Sequence, residues 1–194
     1  MLSQKTQDLK ALEPLLIAAY RKNLIGGFVD GDDITKHSNG SSIHESHEDA
    51  ITVFDSWTNE NPSMGYTQII HRAPTPIHTG GIIWTMSYYD VCFPSSPYAS
   101  RDQILNFLRA AIKAYDNSGL PFRGQNGFFQ ALPHPLTKAT GAIYLRYEIK
   151  SANESLSSFG NFSIMEKVIL DVRNKSLEEV FIWKAIGGYV NLAS

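Results

Sequence analysis

A chain of 194 residues, 43% hydrophobic and 19% charged, is long enough to bury the core of one domain without disulfides or structural metals. A formal net charge of −2, with no basic run, argues against the phosphate-neutralising surface that nucleic acids and anionic membranes reward. A lone cysteine, Cys92, forms no bridge within the chain, and residues 1–25 lack the order of an export signal, so a cytosolic setting is expected.

In chain order, Leu9, Leu12, Leu16, Ala19 and Tyr20 recur at helical spacing, with Pro14 inside the pattern. The helix either kinks there or starts its regular part there, where a missing N–H costs little. Asn23 and Gly26-Gly27 should end it. Residues 26–50 are rich in Gly, Asp, Ser, Asn and His without periodicity, which predicts a long mobile loop. Strands are expected at 51–57, 65–71 and 81–89. In the last, Ile82, Trp84, Met86 and Tyr88 alternate with Ile83, Thr85, Ser87 and Tyr89.

Ser100 followed by Gln103 forms a capping-box signature, and Ile104, Leu105, Phe107, Leu108, Ala111, Ile112 and Tyr115 supply one apolar stripe, so a second helix is expected from residue 101. Asn117-Ser118-Gly119 and Pro121 stop it. Residues 121–140 read as irregular. Strands resume at 141–150, 163–170 and 180–189, the last two joined by a turn around Arg173-Asn174-Lys175.

The order helix, three strands is written twice. Gln68 precedes Trp84 by 16 positions and Glu166 precedes Trp183 by 17. The expected architecture is a single α+β domain with a pseudo-twofold repeat, residues 8–90 and 101–190. Each repeat is a helix plus three antiparallel strands, with the helices packed on one sheet face and a cleft where the halves meet.

The segment Trp84-Thr85-Met86-Ser87-Tyr88-Tyr89, the helix around Leu105-Asn106-Phe107-Leu108, the turn Pro121-Phe122-Arg123-Gly124, residues 162–168 and Gly187-Gly188-Tyr189 occur in an order that resembles a bacterial family of domains of unknown function. Its members occur alone or behind helix-turn-helix segments in Xre-type regulators. The resemblance covers roughly residues 8–190 and implies a sensor or ligand-binding role, with no reaction attached. The family favours Glu at Gln68, Gly at Asp90 and Ile164, and His at Ile186, so part of any polar site it shares is altered here.

The chemistry-bearing residues are sparse. His44-Glu45-Ser46-His47 has the wrong spacing for a zincin helix, and His44, His47 and Glu48 form at best a loose ligand set. Asp30-Gly31-Asp32-Asp33 lacks the remaining ligands of a calcium loop. Nothing near Cys92 in sequence lowers its thiol pKa, and no serine sits in a nucleophile elbow. Glu166 interrupts an apolar strand on the same face as Ile164, Val168 and Leu170, so it must be paired or have a raised pKa; Arg123 is the expected partner. Tyr66, Trp84, Tyr88 and Trp183 are either core or the aromatic wall of a pocket between the halves, completed by Arg123 and Glu166.

These residues predict a module that binds a small molecule or a protein partner without catalysis, cofactor or metal. The alternatives are a small hydrolase or lyase using Glu166 with His71 or His134, and an effector, inhibitor or immunity protein using residues 26–50 as its contact surface.

Overall fold

The computed structural model describes residues 4–73, 80–93, 97–115, 123–132, 143–151, 160–172 and 176–190. Helix α1 (Gln4–Leu24) runs into a π-helical turn (Ile25–Asp30). Five strands follow: β1 (Thr35–Lys36), β2 (Ser41–Glu48), β3 (Ile51–Thr58), β4 (Ser63–His71) and β5 (Gly81–Cys92). Helix α2 (Arg101–Lys113) then precedes β6 (Phe129–Ala131), β7 (Ile143–Ser151), β8 (Phe162–Val172) and β9 (Ser176–Tyr189). The strands form one nine-stranded antiparallel sheet in the order β1-β2-β3-β4-β5-β9-β8-β7-β6, which makes the class α+β.

Helix α1 continues through Pro14, forgoing the bond that an N–H there would make. It buries Leu16, Ala19, Tyr20 and Leu24, which share one helical face, and it lies against β2 and β3. Helix α2 starts as its sequence dictates. The Ser100 hydroxyl accepts from the Gln103 N–H at 3.3 Å, and the Gln103 side chain accepts from the Ser100 N–H at 2.9 Å. Its buried residues are Ile104, Phe107, Leu108, Ala111 and Ile112, and it lies against β7.

The two helices are joined by Arg21. This buried guanidinium donates to the carbonyls of Ile112 at 3.0 Å and Tyr115 at 3.3 Å, at the C-terminal end of α2. There the unpaired carbonyls and the negative end of the helix dipole both favour a cation.

Period-2 burial holds in the sheet. Trp84 and Met86 are buried in β5 while Ser87 and Tyr89 are exposed, and Ile164, Glu166, Val168 and Leu170 are buried in β8. The Trp84 ring is packed between Tyr20 of α1 and Phe162 of β8, with centroids 5.8 and 5.7 Å away.

Two expectations need correction. Residues 26–50, expected as a loop, contain the π-helical turn and β1, and the eight-residue β2 pairs with β3 along its whole length. The burial alternation of β2 is carried by Ser42 and His44, polar residues that leave no apolar pattern to detect. Ser42 bonds to Asn59, and His44 fits against Gly26 and Gly27. Likewise, the expected three strands per half become five before α2 and four after it. The expected turn around Asn174 and residues 133–142 lie outside the described residues.

Candidate functional site

The site is built around Arg123, which follows α2 and has only 5% of its surface exposed. Its backbone is fixed from two sides. Arg21 of α1 donates to the Arg123 carbonyl at 3.1 Å, and the Arg123 N–H donates to Glu166 Oε1 of β8 at 2.8 Å. The next residue, Gly124, donates to the Tyr147 hydroxyl of β7 at 3.0 Å. A side chain at 124 would put its Cβ 2.8 Å from the Tyr147 ring, so only glycine lets the turn come this close.

The guanidinium then reaches between rings. Its central carbon lies 4.8 Å from the Trp183 ring centroid, 4.9 Å from that of Phe28 and 5.8 Å from that of Phe181. Glu166 Oε2 stands 3.5 Å from Nε as an ion pair. Burial pushes the Glu166 carboxyl up, against the opposing charge of Arg123. Yet Arg123 Nη2 has no hydrogen-bond partner, and neither does the fully buried Nε1 of Trp183.

Both residues line a cavity of about 530 Å³. Its walls come from α1, the π-helical turn, β1, β3, β4, β5, α2 and β9, so residues from both sides of the β5–β9 ladder meet there. The aromatic walls include Tyr20, Phe28, Trp57, Tyr88 and Trp183.

Asp55 of β3 also lines the cavity. It accepts from the Thr67 hydroxyl at 2.9 Å and the Tyr88 hydroxyl at 3.0 Å, both on Oδ1. Tyr88 is on β5, two strands away, and its ring crosses β4 at Gly65. A Cβ at 65 would lie 2.5 Å from the Tyr88 hydroxyl. Burial raises the Asp55 carboxyl to about 6, partly offset by the hydroxyls of Thr67 and Tyr88 and by the Arg123 charge. Burial, and then the adjacent Asp55, push the Tyr88 phenol well up, so it stays a donor.

The six residues expected to line a pocket divide. Tyr88, Arg123 and Trp183 line the cavity. Glu166 does not line it but holds Arg123 from behind. Trp84 is fully buried core. Tyr66 is 43% exposed and packs against Phe54, because its strand position puts it on the opposite face from Thr67. Sequence reasoning passes over Asp55, although the logic that singles out Glu166 applies to it. In the apolar strand of residues 51–57 it shares a face with the buried Val53.

His44 is buried, whereas His47 is on the other face of the same strand and half-exposed, so the pair does not converge. Among the described residues, no three His, Cys, Asp or Glu side chains come together as a metal site. His71 Nδ1 is held by the Ala73 carbonyl at 2.6 Å, and His134 lies outside the described residues. The Cys92 thiol is buried, which raises its pKa. No described helix is long and apolar enough to cross a membrane. No family model matches the chain, and no curated protein or solved structure is detectably similar to it.

Proposed function

We propose that this chain is a non-catalytic binding module that takes a small molecule into the cavity above β3–β5 and β9. The observation that carries the reading is the cavity itself, about 530 Å³ and walled by Tyr20, Phe28, Trp57, Tyr88 and Trp183, with Asp55, Thr67 and Arg123 among its polar groups. The volume is in the range of small-molecule pockets, and the mix of aromatic walls with a few placed polar groups is of the same kind.

The strand order supports a duplicated ancestry. An α1-β2-β3-β4-β5 unit and an α2-β6-β7-β8-β9 unit would be related by a twofold axis through the β5–β9 ladder, with Trp84 and Trp183 as equivalents. In that reading both helices cover the sheet face that carries the two tryptophans, and the cavity lies where the units meet. The resemblance to stand-alone and regulator-fused bacterial domains points to the same sensor-like role in the cytosol.

The catalytic alternative is less well supported. Glu166 is spent on Arg123, and no described histidine bonds to it. The contact-loop alternative is weakened by the full pairing of β2.

A thermal-shift screen against anionic, neutral and cationic metabolites tests the reading. A ligand at a hundredfold excess over its dissociation constant adds about 2.7 kcal/mol. Leu105→Trp, on the α2 side of the cavity, fills the space and should abolish the shift. A screen with no hit, or a hit that survives Leu105→Trp, overturns it.

A further inference from the structure

We propose that the cavity takes an organic ammonium ion, a protonated primary or secondary amine on an apolar body, with its N–H groups on Asp55 Oδ2 and its charge against the rings of Trp57 and Tyr88. This rests on the reading of the cavity as a binding site. Asp55 has one bonded oxygen and one open one. Oδ1 accepts from Thr67 and Tyr88. Oδ2 accepts from neither and, unlike Glu166 Oε2, is not sealed inside the protein. The residue is partly exposed and lines the cavity, so its open surface faces inward. The Ser56 N–H adds only a minor pull on the carboxyl.

Among the described residues, no cation stands within ion-pair distance of Asp55. Arg123 acts on it from farther away and is already paired with Glu166. With that pair set aside, the lining carries Asp55, Glu60 and Asp90 against Lys36 and Arg101, an excess of one carboxylate. Lys36, Glu60 and Arg101 are exposed, whereas Asp55 and Asp90 are the partly buried ones. A carboxylate withdrawn from water calls for a countercharge, and a ligand cation supplies it.

Two rings complete the corner. Asp55 and Trp57 are two positions apart on β3, so their side chains leave the same sheet face about 7 Å apart. Trp57 makes no ring or cation contact among the described residues and lines the cavity, which leaves its face for a ligand. The Tyr88 ring lies over Gly65, the ladder partner of Trp57, and its hydroxyl is bonded to Asp55, so it too offers its ring. A carboxylate oxygen beside two aromatic rings matches the charge and the N–H groups of an ammonium. A bare metal ion is a poor match, since no three ligating side chains converge among the described residues.

The experiment is calorimetric titration of the full chain at about pH 7.5, where an alkylamine is charged and Asp55 is mostly ionised. The probes are three indoles of similar shape, the cationic tryptamine, the neutral tryptophol and the anionic indole-3-acetate, together with phenethylamine and cyclohexylamine. Amines should bind, with tryptophol about tenfold weaker than tryptamine, a difference of about 1.4 kcal/mol, and the acid not measurably. Asp55→Asn keeps an oxygen for Thr67 and Tyr88, so it should fold, and it should bring tryptamine down to the affinity of tryptophol. Trp57→Leu should weaken tryptamine more than tryptophol. Equal binding of amine and alcohol, or an amine preference that survives Asp55→Asn, overturns the ammonium assignment while keeping the cavity as a binding site. Failure of every amine, with a hit of another class in the wider screen, also overturns the assignment alone; failure of every class overturns both.

Discussion

Replacing Asp55 by Asn isolates one buried carboxyl. The folded chain holds this group at about 6 against an ordinary value of 3.8. Each pH unit between the two values corresponds to about 1.4 kcal/mol, so the full effect is about 3 kcal/mol. Its sign follows from linkage. Below 3.8 the carboxyl is protonated in both states and costs nothing. As the pH rises toward about 6, the unfolded chain ionises while the folded chain keeps its proton, and stability falls. Above that the loss is complete and constant. Asn keeps an oxygen acceptor for Thr67 and Tyr88 and never ionises. Urea unfolding of both proteins at a series of pH values from about 4 to 8 should show the Asp55→Asn variant gaining on the parent through that window. The gain should level off near 3 kcal/mol, roughly 6–12 °C in Tm for a domain of this size. Other titrating groups are shared and cancel in the difference. A flat difference, or a variant that loses ground as pH rises, would refute the reasoning: Asp55 would then be a stabilised carboxylate, held ionised by Arg123.

Three further variants follow from the packing. Arg21→Met removes a donor from the carbonyls of Ile112, Tyr115 and Arg123 and should cost about 1–3 kcal/mol in chemical denaturation. Gly65→Ala drives a methyl into the Tyr88 ring and should cost about 1–3 kcal/mol, with a changed near-ultraviolet dichroism as the tyrosine leaves Asp55. Gly124→Ala pushes the turn off Tyr147 and should cost a similar 1–3 kcal/mol while weakening any Arg123-dependent ligand, measured by titration.

What the sequence revealed depended on which residues carried the pattern. Helix α2 was legible because capping and apolar spacing are local, and Ser100 and Gln103 do what their chemistry requires. Strands β5 and β8 were legible because apolar residues alternate along them. Strand β2 was hidden because Ser42 and His44 are its buried residues, satisfied by partners far along the chain. In the site, Glu166 and Arg123 were visible as a charge that an apolar strand cannot bury alone. Tyr66 and Trp84 could not be sorted from Tyr88 by sequence, since aromatic residues look alike until the sheet assigns them a face. Asp55 gave the same signal as Glu166 but is bonded two strands away, to a tyrosine that reaches it only across Gly65.

Because β5 and β9 form the one ladder joining the strands before α2 to those after it, a cut between Phe93 and Pro97 would divide the sheet along a single seam among the described residues. Each fragment would present one raw strand edge whose natural complement is the other fragment's. The cavity would belong to neither, since Asp55 and Tyr88 would travel with one piece and Arg123 and Trp183 with the other. If the cavity binds as proposed, such halves, expressed as separate polypeptides, would make a two-component detector in which the captured compound is also the rivet.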